Sequence, residues 1–528
     1  MKVFKNGNFI SCEEKNRVFS VLVEDQGRIA YTGDHIPDKC KGAETIDLEG
    51  ACAVPAFADT HMHFESFALF HSTVDVRNVK DFGEMDKLFK DYLKKNPKVK
   101  FLPAYGCSAH IVKEKRLPSF TDLDKMVDIP LLIVKYDGHA AVANSALIRE
   151  FPEEVVSDPG FDKETGWLYQ NAFYKGVNFI TQKVAPLKIL SGMQKASVDL
   201  ARAGIGYVHS VEGVGYKNDI DIDTIMKARL GLCQCFRVYF QTMDVEKVKK
   251  RGMKRIGGCF SLALDGCFGS EDAALSDGYA NNPENKGFLA YSQDEVDAFC
   301  IKANREGLQI TMHAIGDVAV KQALDAYEKA LADTPREDHR HIIIHADLIP
   351  PNLQERAARM GIAIAVQPAF LDWPQEPGEY LRHILGNRAD DMIPLRSMLD
   401  AGLLLSAGSD APCTVPNPIK SIHNCCNHPN PKESITVIEA LKMHTLWAAK
   451  TGFDEEMYGS LSKGKICDFV TLDQNILNVP KEAIKDIRIQ DVYFRGRKFH
   501  SKRPRNLAVL AGNMVRKAGA KYKFDRMK

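Results

Sequence analysis

This chain lacks several features that mark whole classes of protein. It has no Cys-x-x-Cys pair, so its cysteines do not follow zinc-knuckle spacing, and we interpret pairs such as Cys233/Cys235 and Cys425/Cys426 as buried thiols. The longest apolar runs fall short of the roughly 18 residues that a membrane helix needs. The start, Met-Lys-Val-Phe-Lys, lacks the apolar core of a signal peptide. The sequence therefore predicts a soluble, cytoplasmic protein with reduced cysteines.

An excess of charge of either sign is also missing. The 70 lysines and arginines balance 69 aspartates and glutamates, so no global field draws the chain to nucleic acid or to an anionic membrane. The last segment, residues 501–528, is locally basic, and we interpret it as a solvated helix packed on the main domain or as a contact in a homodimer. A small molecule is the partner that this balance favours.

Short strand patterns occur near both ends of the chain. Val18–Val23 is typical of the first 54 residues, and Asp468–Leu472 is typical of the stretch near the other end. Because a long middle part separates the two sets, the pattern predicts one small β domain built from residues 1–54 and 455–500.

The middle of the chain alternates apolar strands of five to eight residues with helical segments from about residue 190 onward. With the apolar run Ala51–Ala58, the strands number eight, which favours an α/β fold, a (β/α)₈ TIM barrel over residues 55–454. Residues 65 to about 190 are less periodic and are interpreted as an insertion. The alternative, an open doubly wound sheet, is disfavoured because no Gly-x-Gly-x-x-Gly opens a helix. The other seven predicted strands are Gly206–Val211, Phe236–Gln241, Gly258–Leu264, Gln309–His313, His341–His345, Ile362–Gln367 and Leu403–Ala407.

Metal-binding residue types lie at the ends of several predicted strands. His61 and His63 are spaced i, i+2 at the end of a strand, so their imidazoles point the same way. The fifth and sixth strands end at His313 and His345, and the eighth leads to Asp410. A single strand-end histidine is commonly a hydrogen-bonded rim residue. Five such residues in one barrel predict a site for Zn²⁺ or a similar divalent ion.

Seven motifs spread over nearly the whole chain carry a family resemblance. They are Pro55–His63, Asp137–Leu147, His313–Asp317, His345–Asp347, Gln367–Pro368, Gly408–Pro412 and Gly459–Asp468. Through them the chain resembles the amidohydrolase superfamily, specifically amidohydrolase family 3 in the branch of N-substituted formamide deformylase. The resemblance implies a TIM barrel with a composite β-sandwich formed by both termini. It also implies a hydrolase that acts on carbon–nitrogen bonds other than peptide bonds.

The same resemblance implies roles for residues. The four histidines match the family's metal ligands, and Asp410 matches an aspartate that contacts a metal and acts as general base. In much of the family the fourth strand supplies a carboxylated lysine that bridges two metals, but that position is Ser261 in this chain. A second metal would need another bridging ligand, for which we predict Glu212; the alternative for Glu212 is a rim carboxylate. One or two metal ions per chain are therefore expected.

Three further residues are predicted to act on the substrate. His139 follows a predicted strand and would polarise a carbonyl group, or alternatively belong to a helix-capping cluster. Gln367 closes the seventh strand, and Asp317 lies one helical turn after His313, so both are predicted to orient the substrate. Asp317 has the alternative role of capping its helix.

The predicted function is metal-dependent hydrolysis of a C–N bond in an amide, an N-formyl compound or a cyclic amide. One alternative is a mononuclear aminohydrolase that deaminates a heterocycle. Such enzymes usually carry a glutamate three residues after the fifth-strand histidine, and here that residue is Gly316. Another alternative is an inactive metal-binding barrel that acts as a binding protein. The missing lysine at Ser261 favours it, and the retained Asp410 argues against it.

Overall fold

A closed barrel of eight parallel strands forms the centre of the protein. The computed structural model describes residues 1–70, 73–181, 186–213 and 219–500. Neighbouring strands in the barrel follow chain order, and a parallel bridge between Met62 and Ala411 joins the first strand to the end of the eighth. The predicted TIM barrel is confirmed. Barrel strands one to eight are Phe57–Met62, Ile205–Glu212, Cys235–Phe240, Arg255–Ala263, Gln309–Ala314, Ile342–His345, Ala363–Val366 and Leu404–Ala407.

Helices follow the barrel strands from the second onward. A capping box is present where Ser292 and Glu295 exchange hydrogen bonds at the start of the helix before strand five, as the Ser-x-x-Glu spacing in the sequence predicts. Among the helices of the described ranges, none is both long enough and apolar enough to cross a bilayer. The helices that follow barrel strands two to eight are Ile220–Ala228, Val245–Lys250, Gln293–Arg305, Asp317–Asp333, Pro351–Met360, Gly378–Leu385, Leu395–Asp400, Pro418–Cys426, Val437–Met443 and Leu446–Thr451.

The apolar run before His61 is not one strand. Cys52–Pro55 pairs antiparallel with Phe469–Leu472 in a separate sheet, and the first barrel strand begins only at Phe57. Both halves are fully buried, so the hydrophobic pattern does not change where the chain passes from one sheet to the other.

Two sheets built from the chain ends pack beside the barrel. The strands that pack together carry an aromatic core in which Phe4, Phe469 and Tyr493 are buried against one another. The six-stranded sheet takes strands from both ends of the chain, as expected from the sequence; the basic residues 501–528 lie outside the described part. The four-stranded sheet contains Lys2–Lys5, Val21–Asp25, Arg28–Gly33 and Glu44–Asp47, and the six-stranded sheet contains Asn8–Ile10, Val18–Phe19, Cys52–Pro55, Phe469–Leu472, Ile489–Phe494 and Arg497–Lys498.

The insertion between barrel strands one and two contains a five-stranded sheet of its own. The sequence predicted only one of its strands, over Leu131–Tyr136, and the structure has it at Leu131–Lys135. Its neighbour, Leu102–Cys107, contains Pro103 and Gly106, which weaken a strand pattern. The other strands are Val74–Asp75, Ala140–Ala143 and Trp167–Tyr169, and the helices are Phe64–Phe70, Phe82–Lys95, Phe120–Asp124, Ser145–Ile148, Glu153–Val156, Gln170–Thr181 and Pro186–Arg202.

Candidate metal centre

The barrel brings five of the six predicted ligands, all but Glu212, together at the C-terminal ends of its strands. His61 Nε2 lies 3.0 Å from Asp410 Oδ1, and His63 Nε2 lies 3.4 Å from the same oxygen. The ring of His345 has its centre 5.4 Å from that of His61 and 4.6 Å from that of His313. All five side chains are buried. Residues far apart in sequence thus form one compact group of nitrogen and oxygen donors.

A sixth donor, Cys259 on barrel strand four, belongs to the same group. Its Sγ lies 3.4 Å from His61 Nε2. A ligand atom of Cys259 lies within 4.8 Å of one on each of His61 and His63. A ligand atom of Cys259 also lies within 4.8 Å of one on each of His313 and His345. We call these six residues the metal cluster: His61, His63, Cys259, His313, His345 and Asp410.

Sequence reasoning missed Cys259 because the fourth strand is irregular. Its pairing with strand five shifts register between Gly258 and Ala263, so side chains there do not follow simple alternation. The position of the family's lysine, counted back from Asp265, is Ser261. The side chain of Ser261 lies outside the described part of the structure. The available signal was the pair of glycines, Gly257 and Gly258, directly before Cys259, since glycines inside a strand often mark a bulge.

Burial sets the protonation states of the metal cluster. It lowers the pKa of His61 and His345, and it lowers that of His313 to about 3. Burial alone would raise the pKa of Asp410, but His61 and then His63 hold that pKa well below its usual range. The imidazoles of His61, His313 and His345 are therefore neutral and the Asp410 carboxyl is ionised, which are the forms that bind a metal ion.

The donor set fits a divalent transition metal. In the described part of the chain, the buried Nδ1 atoms of His61, His313 and His345 have no hydrogen-bond partner. Buried polar atoms of this kind normally have a partner, so these nitrogens keep hydrogen-bonding or ligating capacity that the described residues do not use. Imidazole, thiolate and carboxylate together suit Zn²⁺ or a similar ion.

Strained backbone holds part of the metal cluster in place. His345 has φ of +74° and Asp410 has φ of +54°, a left-handed conformation that costs a non-glycine residue about 1–3 kcal/mol. Gly408, between strand eight and Asp410, lies directly against the first strand. A Cβ added to Gly408 would lie only 2.4 Å from His61 N. The Asp410 N–H then donates to His61 O at 2.8 Å. The close approach places Asp410 beside the two histidines of strand one.

Two further buried carboxylates position the ligands. Asp59 Oδ1 accepts hydrogen bonds from Ser409 N at 2.9 Å and His61 N at 3.3 Å, which ties strand one to the loop after strand eight. Asp265 accepts from three backbone N–H groups, and its Oδ1 lies 3.6 Å from His313 Nε2. Burial raises the pKa of Asp59 to about 6 and that of Asp265 to about 7.

The predicted residues His139 and Glu212 both line the cavity above the metal cluster. The His139 ring lies 6.1 Å from that of His313, and the capping residue of the nearby short helix is Asn144. Glu212 accepts from Ser210 Oγ at 2.5 Å, and burial raises its pKa to about 8. Among the described residues, Glu212 is not in the groups whose ligand atoms lie within 4.8 Å of one another, so its metal-ligand role stays a prediction.

The predicted residues Gln367 and Asp317 are outside the described cavity lining. Gln367 is fully buried and donates to Ala365 O at 2.9 Å. Asp317 lies in the first turn of its helix and accepts from Ser276 N at 3.1 Å. Substrate contact by either residue stays a prediction that this geometry does not support.

The cavity combines apolar walls with carboxyl groups that sequence reasoning missed. Asp347 and Glu376 face it from the loops after strands six and seven, beside Phe370 and Trp373. Burial, followed by repulsion from Glu376, raises the pKa of Asp347 well above its usual range. Burial, followed by repulsion from Asp137, raises the pKa of Glu376 to about 7. Neither carboxyl carries a spacing signal in the sequence because each lies on an irregular loop.

The fold and the cluster together define a TIM-barrel protein with a candidate metal centre at the barrel end where such enzymes bind their substrates. The chain belongs to the amidohydrolase family, which it matches over residues 44–500.

Relatives resemble the chain over nearly its whole length. It is 27% identical to YtcJ of Bacillus subtilis (strain 168), over 95% of this chain and 100% of YtcJ. It is 22% identical to N-substituted formamide deformylase of Arthrobacter pascens, over 93% of this chain and 96% of that protein. A crystal structure of an uncharacterized metal-dependent hydrolase from Pyrococcus furiosus is similar with a TM-score of 0.72 and 25% identity, covering 90% of this chain and 100% of that one.

Proposed function

We propose that this amidohydrolase-family protein hydrolyses a C–N bond in a small-molecule amide, N-formyl compound or cyclic amide. One observation carries the proposal. The metal cluster lies at the floor of a cavity, at the strand ends where TIM-barrel enzymes have their active sites. Similarity to N-substituted formamide deformylase supports the N-formyl class as the first to test.

The metal cluster would hold one or two divalent ions, which we propose to be zinc. Cys259 would contribute a thiolate on strand four, where the sequence offers no lysine at position 261. A divalent ion bound there supplies Lewis acidity and lowers the pKa of water to about 7. Glu212 remains the candidate for bridging a second ion.

Asp410 would move the proton. Its carboxyl is ionised and lies beside His61 and His63, so it can accept a proton from the attacking water. The water oxygen bonds to the carbonyl carbon, the C–N bond breaks, and Asp410 delivers the proton to the leaving nitrogen. His139 faces the cavity and would donate a hydrogen bond to the carbonyl oxygen as negative charge develops there.

The lack of space for a side chain at Gly316 disfavours deamination of a heterocycle. A Cβ on Gly316 would lie 2.0 Å from Ala274 O, so the glutamate expected at this position in deaminases does not fit. The N–H of Gly316 instead donates to Asp265 at 2.8 Å.

A substrate panel with metal analysis tests the proposal. The purified protein, loaded with zinc, is offered N-alkyl and N-benzyl formamides, cyclic amides and amino-substituted heterocycles, and release of formate, amine and ammonia is measured. We expect turnover of an amide or formamide and one to two equivalents of bound divalent metal. Ammonia from a heterocycle without amide turnover would indicate a deaminase. Metal near zero, with no gain on adding zinc, would overturn the metal centre.

A further inference from the structure

The charge of the cavity points to a feature of the substrate, an inference that rests on the proposed function. Among the described residues, the lining carries six carboxyl groups and no lysine or arginine. A cavity of this composition is poorly suited to a substrate with a carboxylate or phosphate away from the reacting bond. The six are Glu65, Asp137, Glu212, Asp347, Glu376 and Asp410.

Three of these carboxyl groups already have strong partners. Asp410 contacts the two histidines of strand one. Asp137 Oδ2 lies 2.7 Å from Lys135 Nζ and accepts from Ser270 Oγ at 3.2 Å. Glu212 accepts from Ser210 Oγ and from Glu65 N. Their capacity for a further partner is therefore reduced.

Asp347 is the carboxyl group with the clearest need for a partner. It is 1% exposed, it faces the cavity, and its Oδ1 has no hydrogen-bond partner in the described part of the chain. A buried acceptor left without a donor is destabilising, and more so when the group is charged. Glu376 lies within electrostatic range of it and accepts one hydrogen bond from Tyr136 Oη at 3.1 Å.

Aromatic rings connect this pair of carboxyl groups to the metal cluster. The His345 ring stacks on Phe370 at 5.9 Å, and Phe370 stacks on Trp373 at 4.8 Å with an interplanar angle of 13°. Trp373 lies close to Glu376 in sequence and lines the same cavity. We call Asp347, Phe370, Trp373 and Glu376 the acidic aromatic wall. Ring faces next to carboxylates are a favourable environment for a planar or alkylated cation.

We propose that the substrate carries a cationic nitrogen group, such as an amidinium, guanidinium or ammonium, that lies against Trp373 beside Phe370 and pairs with Asp347 and Glu376. The scissile C–N bond would then lie at the metal cluster, one aromatic ring away. Such a group supplies the donor that Asp347 lacks, and its positive charge stabilises the ionised forms of two carboxyl groups for which burial otherwise favours the protonated form.

Binding of matched uncharged and charged probes tests this proposal without turnover. Isothermal titration calorimetry on the zinc-loaded protein compares benzamidine with benzamide, and phenylguanidine with phenylurea, pairs that share shape and differ in charge. Chromatography after each titration confirms that the probe is intact. We expect each cation to bind at least about tenfold more tightly than its neutral partner. Equal or weaker binding of both cations would overturn the proposal. Because no reaction is measured, a failure here leaves amide hydrolysis standing, and a failure of the substrate panel leaves the binding preference standing.

Variants locate the preference within the cavity. Asp347→Asn and Glu376→Gln should each reduce the ratio between the charged and neutral probes, and Trp373→Leu should do so without changing a charge. Glu65→Gln, which removes another carboxyl group from the same cavity, should leave the ratio unchanged. Loss of the preference in the Glu65 variant, or its survival in both carboxyl variants of the wall, would overturn the assignment. Metal content and melting temperature identify any variant that fails to fold. If a carboxyl variant fails to fold, the ratio between charged and neutral probes in Trp373→Leu decides the assignment.

Discussion

The metal cluster and the acidic aromatic wall face the same cavity, yet they differ in how they are built. Most of the metal cluster lies at the ends of parallel strands, where the backbone direction and side-chain alternation fix the position of each residue. The acidic aromatic wall lies on irregular loops after strands six and seven. Under the two proposals, the strand ends would define the chemistry and the loops would define the substrate, which is the division expected in TIM barrels.

The largest effect should come from the metal cluster. Asp410→Asn keeps the shape of the side chain but removes the proton acceptor, so kcat for any amide found in the substrate panel should fall about 10³-fold. Metal content should stay near the wild-type value by mass spectrometry. Asp333→Asn, which alters an exposed ion pair with Arg305, is the matched control and should leave kcat unchanged. A loss of less than tenfold in the Asp410 variant would remove it from the proton-transfer role.

Glu376 of the acidic aromatic wall should affect how the free energy of unfolding depends on pH. Because the pKa of Glu376 is raised from 4.5 to about 7, the folded state favours its protonated form. That contribution is fully present below pH 4.5 and is lost as pH rises through 7, a change of about 3 kcal/mol. Glu376→Gln should remove this loss, so the free energy of unfolding of the apoprotein in urea should fall less between pH 4.5 and pH 8.

An exposed glutamate serves as the control for that pH experiment. Glu456 is exposed, so Glu456→Gln should follow the wild-type curve at every pH. Parallel curves for the Glu376 variant and the wild type would show that this carboxyl is not buried as the wall requires.

Closure of the barrel at the metal cluster should be sensitive to a single methyl group. Gly408→Ala would place a Cβ 2.4 Å from His61 N, and the resulting shift should cost about 2 kcal/mol of stability. Gly378→Ala is the matched control, because a Cβ at Gly378 would meet nothing within 4 Å. Urea unfolding of both variants provides the measurement. Equal stabilities would mean that strands one and eight are not in close contact at the cluster.

The smallest effect is expected at Cys259. Cys259→Ser should weaken metal binding about tenfold, since one thiolate among several ligands is replaced by a hydroxyl. With cobalt in place of zinc, the wild-type protein should show a thiolate-to-cobalt charge-transfer band that the variant lacks. Cys267→Ser removes another buried thiol of the cavity and should keep the band. A wild-type spectrum without the band would exclude Cys259 from the ligand set.

The sequence predicted most of the fold because repeated strand and helix patterns are local. Seven of the eight barrel strands have structural counterparts that differ by a few residues at their ends, and the first was merged with Cys52–Pro55 because both segments are apolar and buried. The sheet in the insertion was largely missed, since its strands are short and one of them contains Pro103 and Gly106. Periodicity gives no signal in either case.

For the site, strand order and alternation predicted the residues that follow from a strand end. His61 and His63 share a face by alternation, and His313, His345 and Asp410 follow from the order of parallel strands in a barrel. The place of Cys259 beside them depends on the tertiary fold, because the register shift in strand four changes which side chain points inward. Asp347 and Glu376 line one cavity for a similar reason, because contacts between loops depend on how the whole chain packs and not on spacing along it.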